Sequence, residues 1–168
     1  MKTQILVLIF LFLAFSTYSL FYFFLSSASS NNMPKLNNSS ELSSRGWNFT
    51  HVKMSNVTII TWIADDDEKR ELGLMYVRKL EENEGMIFIF EDEGVYAFWM
   101  KNTYLPLDII FVDKNMKIVD MQSMEPCDGS ECRLYYPSKK IKYAIEVNSG
   151  FCNKNRIKIG DEIWIENK

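Results

Sequence analysis

The sequence is poor in the residues that most catalytic and metal sites use. It contains one histidine, His51, which lies near the start of the folded part with no serine or cysteine nucleophile beside it. Neither a nucleophile activated by histidine nor a histidine-rich metal site is therefore predicted. The seven glycines form no phosphate-binding loop, and those at positions 129, 150 and 160 are typical of turns. No metal and no cofactor is predicted.

An excess of positive charge is also missing. The chain has 19 Lys and Arg against 22 Asp and Glu, a net charge of -3, and acidic and basic residues are interleaved. Because a basic stripe is what usually binds phosphates, no nucleic-acid partner is predicted. A hydrophobic fraction of 47% is ordinary for a globular protein, so the main body is expected to fold.

The start of the chain lacks charge almost completely, since no charged side chain occurs between Lys2 and Lys35. Residues 1–25 are largely apolar, and at about 1.5 Å per residue they can cross a hydrocarbon layer of roughly 30 Å. We expect a single-pass anchor in the cell membrane, with the domain outside the cytoplasm because Lys2 flanks the run. The alternative is a cleaved signal peptide and secretion, since Ser26 and Ala28 resemble a cleavage site.

Residues 26–46 are rich in serine and asparagine and contain few apolar side chains. Such a segment cannot bury enough apolar surface to fold, and we expect a disordered tether. Residues 47–168 then form the folded domain.

Three cysteines agree with an exported location. Cys127 and Cys132 bracket a turn-forming loop, in which a disulfide could form in an oxidising compartment. Cys152 is left over, either buried as a small apolar residue or free. Three unpaired thiols remain the alternative.

Short strands with turn signals between them predict a mainly β fold, α+β at most. We expect a small antiparallel barrel or sandwich of about seven or eight strands. A capping pattern at residues 65–68 predicts one short helix that ends near Tyr76, and Gly73 within it suggests a close approach to another backbone. Residues 91–94 are expected to form a hairpin turn. Strands are predicted near residues 49–54, 57–64, 86–90, 95–100, 107–112, 116–124, 142–147 and 162–166.

Asp108 is the carboxylate that most needs an explanation. By strand alternation it shares a face with Ile110 and Val112, and the opposite face of the strand is apolar as well. A buried carboxylate costs several kcal/mol unless it is paired or hydrogen-bonded, so partners should lie close. The expected partners are in the preceding loop: Trp99, Lys101, Asn102 and Thr103.

Two hypotheses follow for Asp108. In the first, it braces the loop from Lys101 to Leu105 by accepting hydrogen bonds from it. In the second, Asp108 and Glu146 point into one cleft beside Trp99 and act as an acid/base pair of a hydrolase-like enzyme.

The preferred function is a binding or accessory module for a small polar ligand such as a glycan or a peptide fragment. The alternatives are the enzyme and a purely structural envelope protein. A protein without catalytic activity is favoured over an enzyme. The predicted ligand-binding residues are Trp99, Lys101, Asn102, Asp108 and Glu146.

Several blocks of the sequence resemble a known family. They are RELGLM from Arg70, GMIF from Gly85, FWMKNT from Phe98, PLDIIF from Pro106 and EVNSG from Glu146. In these blocks the chain is similar to the family called domain of unknown function 192. The resemblance implies a compact, mainly β domain that is often exported or membrane-anchored, and it implies no reaction. Many relatives have alanine at the position of Ser149, and Cys127 looks like an addition, so the resemblance implies no disulfide.

Overall fold

The computed structural model describes residues 37–127, 129 and 131–166. The predicted anchor at residues 1–25 and the first part of the predicted tether lie outside these residues. Within the described ranges, no helix has the length and apolar character needed to cross a membrane.

The second half of the predicted tether is ordered, which corrects the expected domain boundary. A short helix, α1, spans Glu41–Ser44, and its Leu42 is fully buried among core residues. The backbone N–H of Ser39 donates a hydrogen bond to the carbonyl of Lys79 at 3.1 Å. Composition alone missed this segment because its order depends on Leu42 and the neighbouring Trp47 rather than on many apolar residues.

Nine strands and three short helices form the described part of the chain. Seven strands make one sheet in the order β6-β5-β8-β3-β2-β1-β9, and β4 pairs with β7 in a separate ribbon. Helix α2 spans Asp67–Leu72 and α3 spans Phe151–Lys154. The strands are β1 Phe49–Met54, β2 Val57–Ala64, β3 Glu84–Gly94, β4 Phe98–Trp99, β5 Leu107–Val112, β6 Ile118–Met124, β7 Leu134–Tyr135, β8 Ile141–Asn148 and β9 Ile163–Ile165.

The sheet curls until its two edge strands approach each other. Lys117, just before β6, forms an isolated bridge with Glu162, just before β9. The backbone N–H of Ile163 also donates to the carbonyl of Met116 at 2.8 Å. The result is a half-barrel with a concave inner face and a convex outer face.

Both faces of this half-barrel are buried. The inner face is packed with aliphatic side chains from all seven strands, including Val52, Ile59 and Ile145. The outer face carries a second, more aromatic cluster that includes Trp62, Phe88, Phe98 and Phe111. Phe98 comes from the β4–β7 ribbon, and its ring meets that of Phe88 edge-on at 5.3 Å between centroids.

The predicted mainly β architecture is confirmed, and β1, β2 and β5 have the predicted bounds. The predicted, mainly antiparallel arrangement holds with one exception, because β2 and β3 run parallel and α2 lies in the crossover between them. The predicted hairpin at residues 91–94 is wrong. Strand β3 continues through this segment and pairs with β8, whereas β4 pairs with β7.

Helix α2 ends earlier than predicted. Its N-cap is Asp66, whose carboxylate accepts a hydrogen bond from the backbone N–H of Lys69 at 2.8 Å. The helix ends at Leu72 because Gly73 has a φ of 49°. A Cβ atom at Gly73 would lie 3.3 Å from the ring of Phe88, so this glycine approaches a side chain, not the predicted backbone.

At Gly85 the backbone of β3 lies very close to that of β8. A Cβ atom there would lie 2.5 Å from the carbonyl oxygen of Glu146 on the neighbouring strand β8. Only glycine permits this approach, which fixes the position of Glu146 in the sheet.

Candidate functional site

Asp108 is buried at the inner face of the half-barrel and accepts three hydrogen bonds. One oxygen of its carboxylate accepts from the hydroxyl of Ser123 at 2.9 Å. The other accepts from the backbone N–H groups of Gly150 and Cys152 at 3.0 and 3.2 Å. These two N–H groups belong to the turn that starts α3, so Asp108 holds α3 against the end of the sheet.

Asp108 is therefore a brace, but its predicted partners are wrong. Its hydrogen bonds come from β6 and from the turn into α3, not from the loop at residues 101–105. Cys152 in α3 is a free, buried thiol. Burial, and to a smaller extent the Asp108 carboxylate, raise the pKa of this thiol to about 12, so it stays protonated at neutral pH.

Glu146 lies on the other face of the sheet. In the register of β8 it stands opposite Met86 and Ile109, which belong to the outer cluster. Asp108 stands opposite Val147, which belongs to the inner cluster. Since neighbours across paired strands point to the same face, Asp108 and Glu146 point away from each other. The predicted common cleft, and an acid/base pair formed by these two carboxylates, are wrong.

Glu146 instead lines a cavity of about 570 Å³ on the outer face. The cavity lies between α2 with its following turn, the second half of β3 and the segment that contains β4. Its walls carry five aromatic side chains, and Thr103 and Glu146 also belong to its lining. The aromatic residues are Phe88, Phe90, Tyr96, Phe98 and Trp99.

The carboxyl group of Glu146 has no hydrogen-bond or ion-pair partner among the described residues. Its exposed fraction is 5%, so water reaches it only slightly. Burial raises its pKa to about 8 from an ordinary value of 4.5. At neutral pH the group is therefore mostly a neutral acid, which can donate one hydrogen bond.

The rest of the cavity lining carries more negative than positive charge. Four other acidic residues take part, Asp67 and Glu71 on α2 and Glu91 and Asp92 on β3, together with one cation, Arg70. The guanidinium of Arg70 is already engaged. It donates to the carbonyl of Ile89 at 2.8 Å, contacts Asp67 at 2.6 Å and lies 5.6 Å from the ring centroid of Phe90.

The predicted residues of the WMKNT loop have different positions. Trp99 lines the cavity and is 39% exposed. Lys101 lies outside the lining, with its ammonium 5.0 Å from the centroid of the Trp99 ring. Asn102 also lies outside it, and its side-chain amide donates to the hydroxyl of Tyr76 at 2.8 Å. Of the five predicted ligand residues, the structure brings Trp99 and Glu146 together in one cavity.

The structure contains the disulfide between Cys127 and Cys132. Cys127 forms isolated bridges with Lys101 and Thr103, and its carbonyl accepts from the backbone N–H of Asn102 at 3.0 Å. The disulfide loop therefore supports the loop that carries Trp99.

Sequence reasoning missed most of the cavity lining. Arg70 and Gly73 belong to the RELGLM block, but nothing local shows that this block faces β3. The sequence predicts Phe90 and Tyr96 on the two strands of a hairpin. In the structure their rings stack, with 3.7 Å between the centroids, and form part of one wall of the cavity. No group of three or more His, Cys, Asp or Glu residues in the described ranges could hold a metal ion.

Comparison with known proteins agrees with this architecture. Residues 50–165 match the model of the DUF192 family, described as "Uncharacterized ACR". A UPF0127 protein of Pyrococcus horikoshii is 30% identical over 106 residues, 60% of this chain and 83% of the relative.

Two solved structures are similar in fold. One, from Sinorhizobium meliloti 1021 and described as a candidate transcription regulator, has a TM-score of 0.67 and 26% identity, covering 71% of this chain and 95% of that one. The other, a protein of unknown function from Novosphingobium aromaticivorans, has a TM-score of 0.65 and 25% identity, covering 82% and 96%.

Replacing Glu146 by glutamine should change how stability depends on pH. The folded protein raises the pKa of Glu146, so it holds a proton that the unfolded chain loses between pH 4.5 and about 8. The wild type therefore loses stability across this window and the loss is complete above it. Glutamine does not titrate, so Glu146→Gln lacks this loss of stability. The free energy of unfolding of the variant minus that of the wild type should therefore increase by several kcal/mol as the pH rises through the window. Chemical denaturation at a series of pH values measures this, and a difference that does not vary with pH contradicts it.

Replacing Asp108 by asparagine should destabilise the fold by roughly 2–4 kcal/mol, because a charged acceptor of three hydrogen bonds is lost. Ser123→Ala removes one donor and should cost about 1 kcal/mol. Glu125→Gln, at an exposed carboxylate directly after β6, is the control and should be neutral. Thermal and urea unfolding give these differences, and an unchanged Asp108→Asn variant contradicts the brace.

Proposed function

This chain belongs to the DUF192 family, and we propose that its β domain is a binding or accessory module that takes a small polar ligand in the outer-face cavity. The observation that carries the proposal is Glu146, a residue only 5% exposed whose carboxyl group faces the cavity and has no hydrogen-bond or ion-pair partner among the described residues. A buried polar group normally has a hydrogen-bond partner, and a group left without one in a cavity is suited to meet a ligand.

The shape of the cavity supports binding. A volume of about 570 Å³ is within the range of small-molecule sites, which are mostly apolar walls with a few placed polar groups. The aromatic walls offer flat surfaces, and Trp99 at 39% exposure provides one that the ligand can cover. Asp108 contributes to the fold and not to this site, since it lies on the other face of the sheet.

The proposal also includes the location of the domain. Residues 1–25 form a membrane anchor, and the domain lies outside the cytoplasm. The apolar N-terminal run supports an anchor, and the Cys127–Cys132 disulfide supports an oxidising compartment. A module held at the membrane in this way meets its ligand outside the cytoplasm.

A ligand screen tests the binding site. Thermal shifts are recorded for the full chain in detergent with panels of monosaccharides, amino acids, dipeptides and amines. Compounds that stabilise the wild type should lose most of their effect with Trp99→Ala and with Glu146→Gln, because both changes remove cavity contacts. Trp164→Ala is the matched control, since Trp164 is an exposed tryptophan on β9 and takes no part in the cavity. No stabilising compound, or equal responses in all variants, would favour a structural envelope protein.

Fractionation of cells tests the location. The full chain should remain with the membrane after alkaline extraction, and protease added to spheroplasts should degrade the domain. A variant with Leu6, Leu8, Leu11 and Leu13 changed to Asp cannot cross the hydrocarbon layer and should leave the membrane fraction. A shortened chain in the medium would indicate signal cleavage instead, and protection from the protease would contradict the proposed orientation.

A further inference from the structure

We propose that the ligand of the outer-face cavity carries a cationic group, an ammonium or a guanidinium, and that this group pairs with Glu146. This inference rests on the proposed binding function and narrows it to one class of ligand. It depends on three features of the cavity: its unpaired carboxyl group, the sign of its charges and its aromatic walls.

The unpaired carboxyl group is the first feature. Glu146 is 95% buried by its neighbours and has no donor within the described part of the chain, although carboxylates buried at this depth normally have one. A cation that enters the cavity supplies what is missing, because it pairs with the carboxylate and donates hydrogen bonds to it.

The charges around the cavity are the second feature. Besides Glu146, four carboxylates line it, and the one cation in the lining, Arg70, is already held by Asp67 and by the carbonyl of Ile89. The lining therefore offers little positive charge with which an anionic ligand could pair, and its acidic groups repel such a ligand. These four carboxylates are exposed, so they attract a cationic ligand only through a field that water and salt screen, and Glu146 is the acidic group that can pair with it from a buried position.

The aromatic walls are the third feature. The faces of aromatic rings carry partial negative charge and attract cations within about 6 Å of their centroids. Two rings of the lining already have a cation of the protein beside them. The guanidinium of Arg70 lies 5.6 Å from the ring centroid of Phe90, and the ammonium of Lys101 lies 5.0 Å from that of Trp99. Phe88, Tyr96 and Phe98 complete the aromatic part of the lining, and Trp99, at 39% exposure, is the ring that a ligand cation can reach.

The pH dependence of binding separates a cation from a neutral ligand. In the empty cavity, burial holds the pKa of Glu146 at about 8. A cation stabilises the carboxylate, so its binding releases a proton below that pH, and its affinity should rise with pH up to about 8 by at most about tenfold per pH unit. A neutral ligand that accepts a hydrogen bond from the protonated acid should bind more weakly above that pH.

Other titratable groups also face the cavity, and the test must separate their effects from that of Glu146. The Glu146→Gln variant keeps all of these other groups and lacks only the proton that Glu146 releases when a cation binds. They are Asp67, Arg70 and Glu71 on α2, Glu91 and Asp92 on β3, and Tyr96 after β3.

The probes are benzylamine, benzyl alcohol and benzoate, which have similar shapes and differ in charge. Binding is followed in the full chain in detergent, labelled with ¹³C at the methionine methyl groups. Met75 lines the cavity and is the reporter, assigned with Met75→Leu. Met54 is the control, because it is fully buried in the inner cluster on the other face of the sheet.

We expect benzylamine at millimolar concentration to shift the Met75 signal and leave Met54 unchanged, with an affinity that rises with pH up to about 8. Glu146→Gln should weaken its binding by tenfold or more and abolish that rise. Glu71→Gln should weaken it by a few fold, and Glu68→Gln, the same change on the same helix outside the lining, should not weaken it.

Three other results overturn the inference in different ways. If benzyl alcohol or benzoate shifts Met75 and benzylamine does not, the cavity binds ligands but the cationic class is wrong. If none of the three probes shifts Met75 and the wider compound screen also finds no ligand that depends on Trp99, the binding function itself is wrong. Benzylamine binding that is equal in wild type and Glu146→Gln contradicts the pairing with Glu146.

Discussion

Both faces of β5 and of the middle of β8, residues 144–147, are buried, so a polar side chain there must find its partner inside the protein or remain without one. All six residues of β5 are buried, and β8 lies between β5 and β3. Each strand carries one carboxyl group in this environment. The face of the sheet on which each carboxyl group lies decides which hydrogen-bond donors Asp108 and Glu146 can reach.

The two carboxyl groups meet this constraint in opposite ways. Asp108 keeps three donors and so stabilises the junction between the sheet and α3. Glu146 has none, and burial raises its pKa until the neutral acid prevails. The proton on Glu146 is lost when the pH rises above the pKa of the group or when a cation pairs with the carboxylate. Asp108 therefore contributes to the stability of the fold, and Glu146 determines how the charge of the cavity changes with pH.

Local pattern was sufficient for part of this picture. Alternating and β-branched residues gave β1, β2 and β5 correctly, and alternation in β5 identified Asp108 as a buried acceptor. The partners of Asp108 could not be deduced, because they come from β6 and from the turn after β8, and the order of strands is not encoded in any one strand. For the same reason Glu146 was assigned to the wrong face relative to Asp108. The register between β5 and β8, which pairs Asp108 with Val147, decides that question.

The cavity also depends on contacts between segments that are far apart in the sequence. The backbone N–H of Tyr76 donates to the carbonyl of Asn102 at 2.9 Å, and the N–H of Asn102 donates to the carbonyl of Cys127. Tyr76 and Asn102 both have positive φ, a conformation that costs about 1 kcal/mol or more outside glycine and persists only when neighbours impose it. Their hydrogen bonds tie Met75 on one side of the cavity to Trp99 on the other. Because these hydrogen bonds join groups of the protein itself, contacts within the chain hold the walls of the cavity in place.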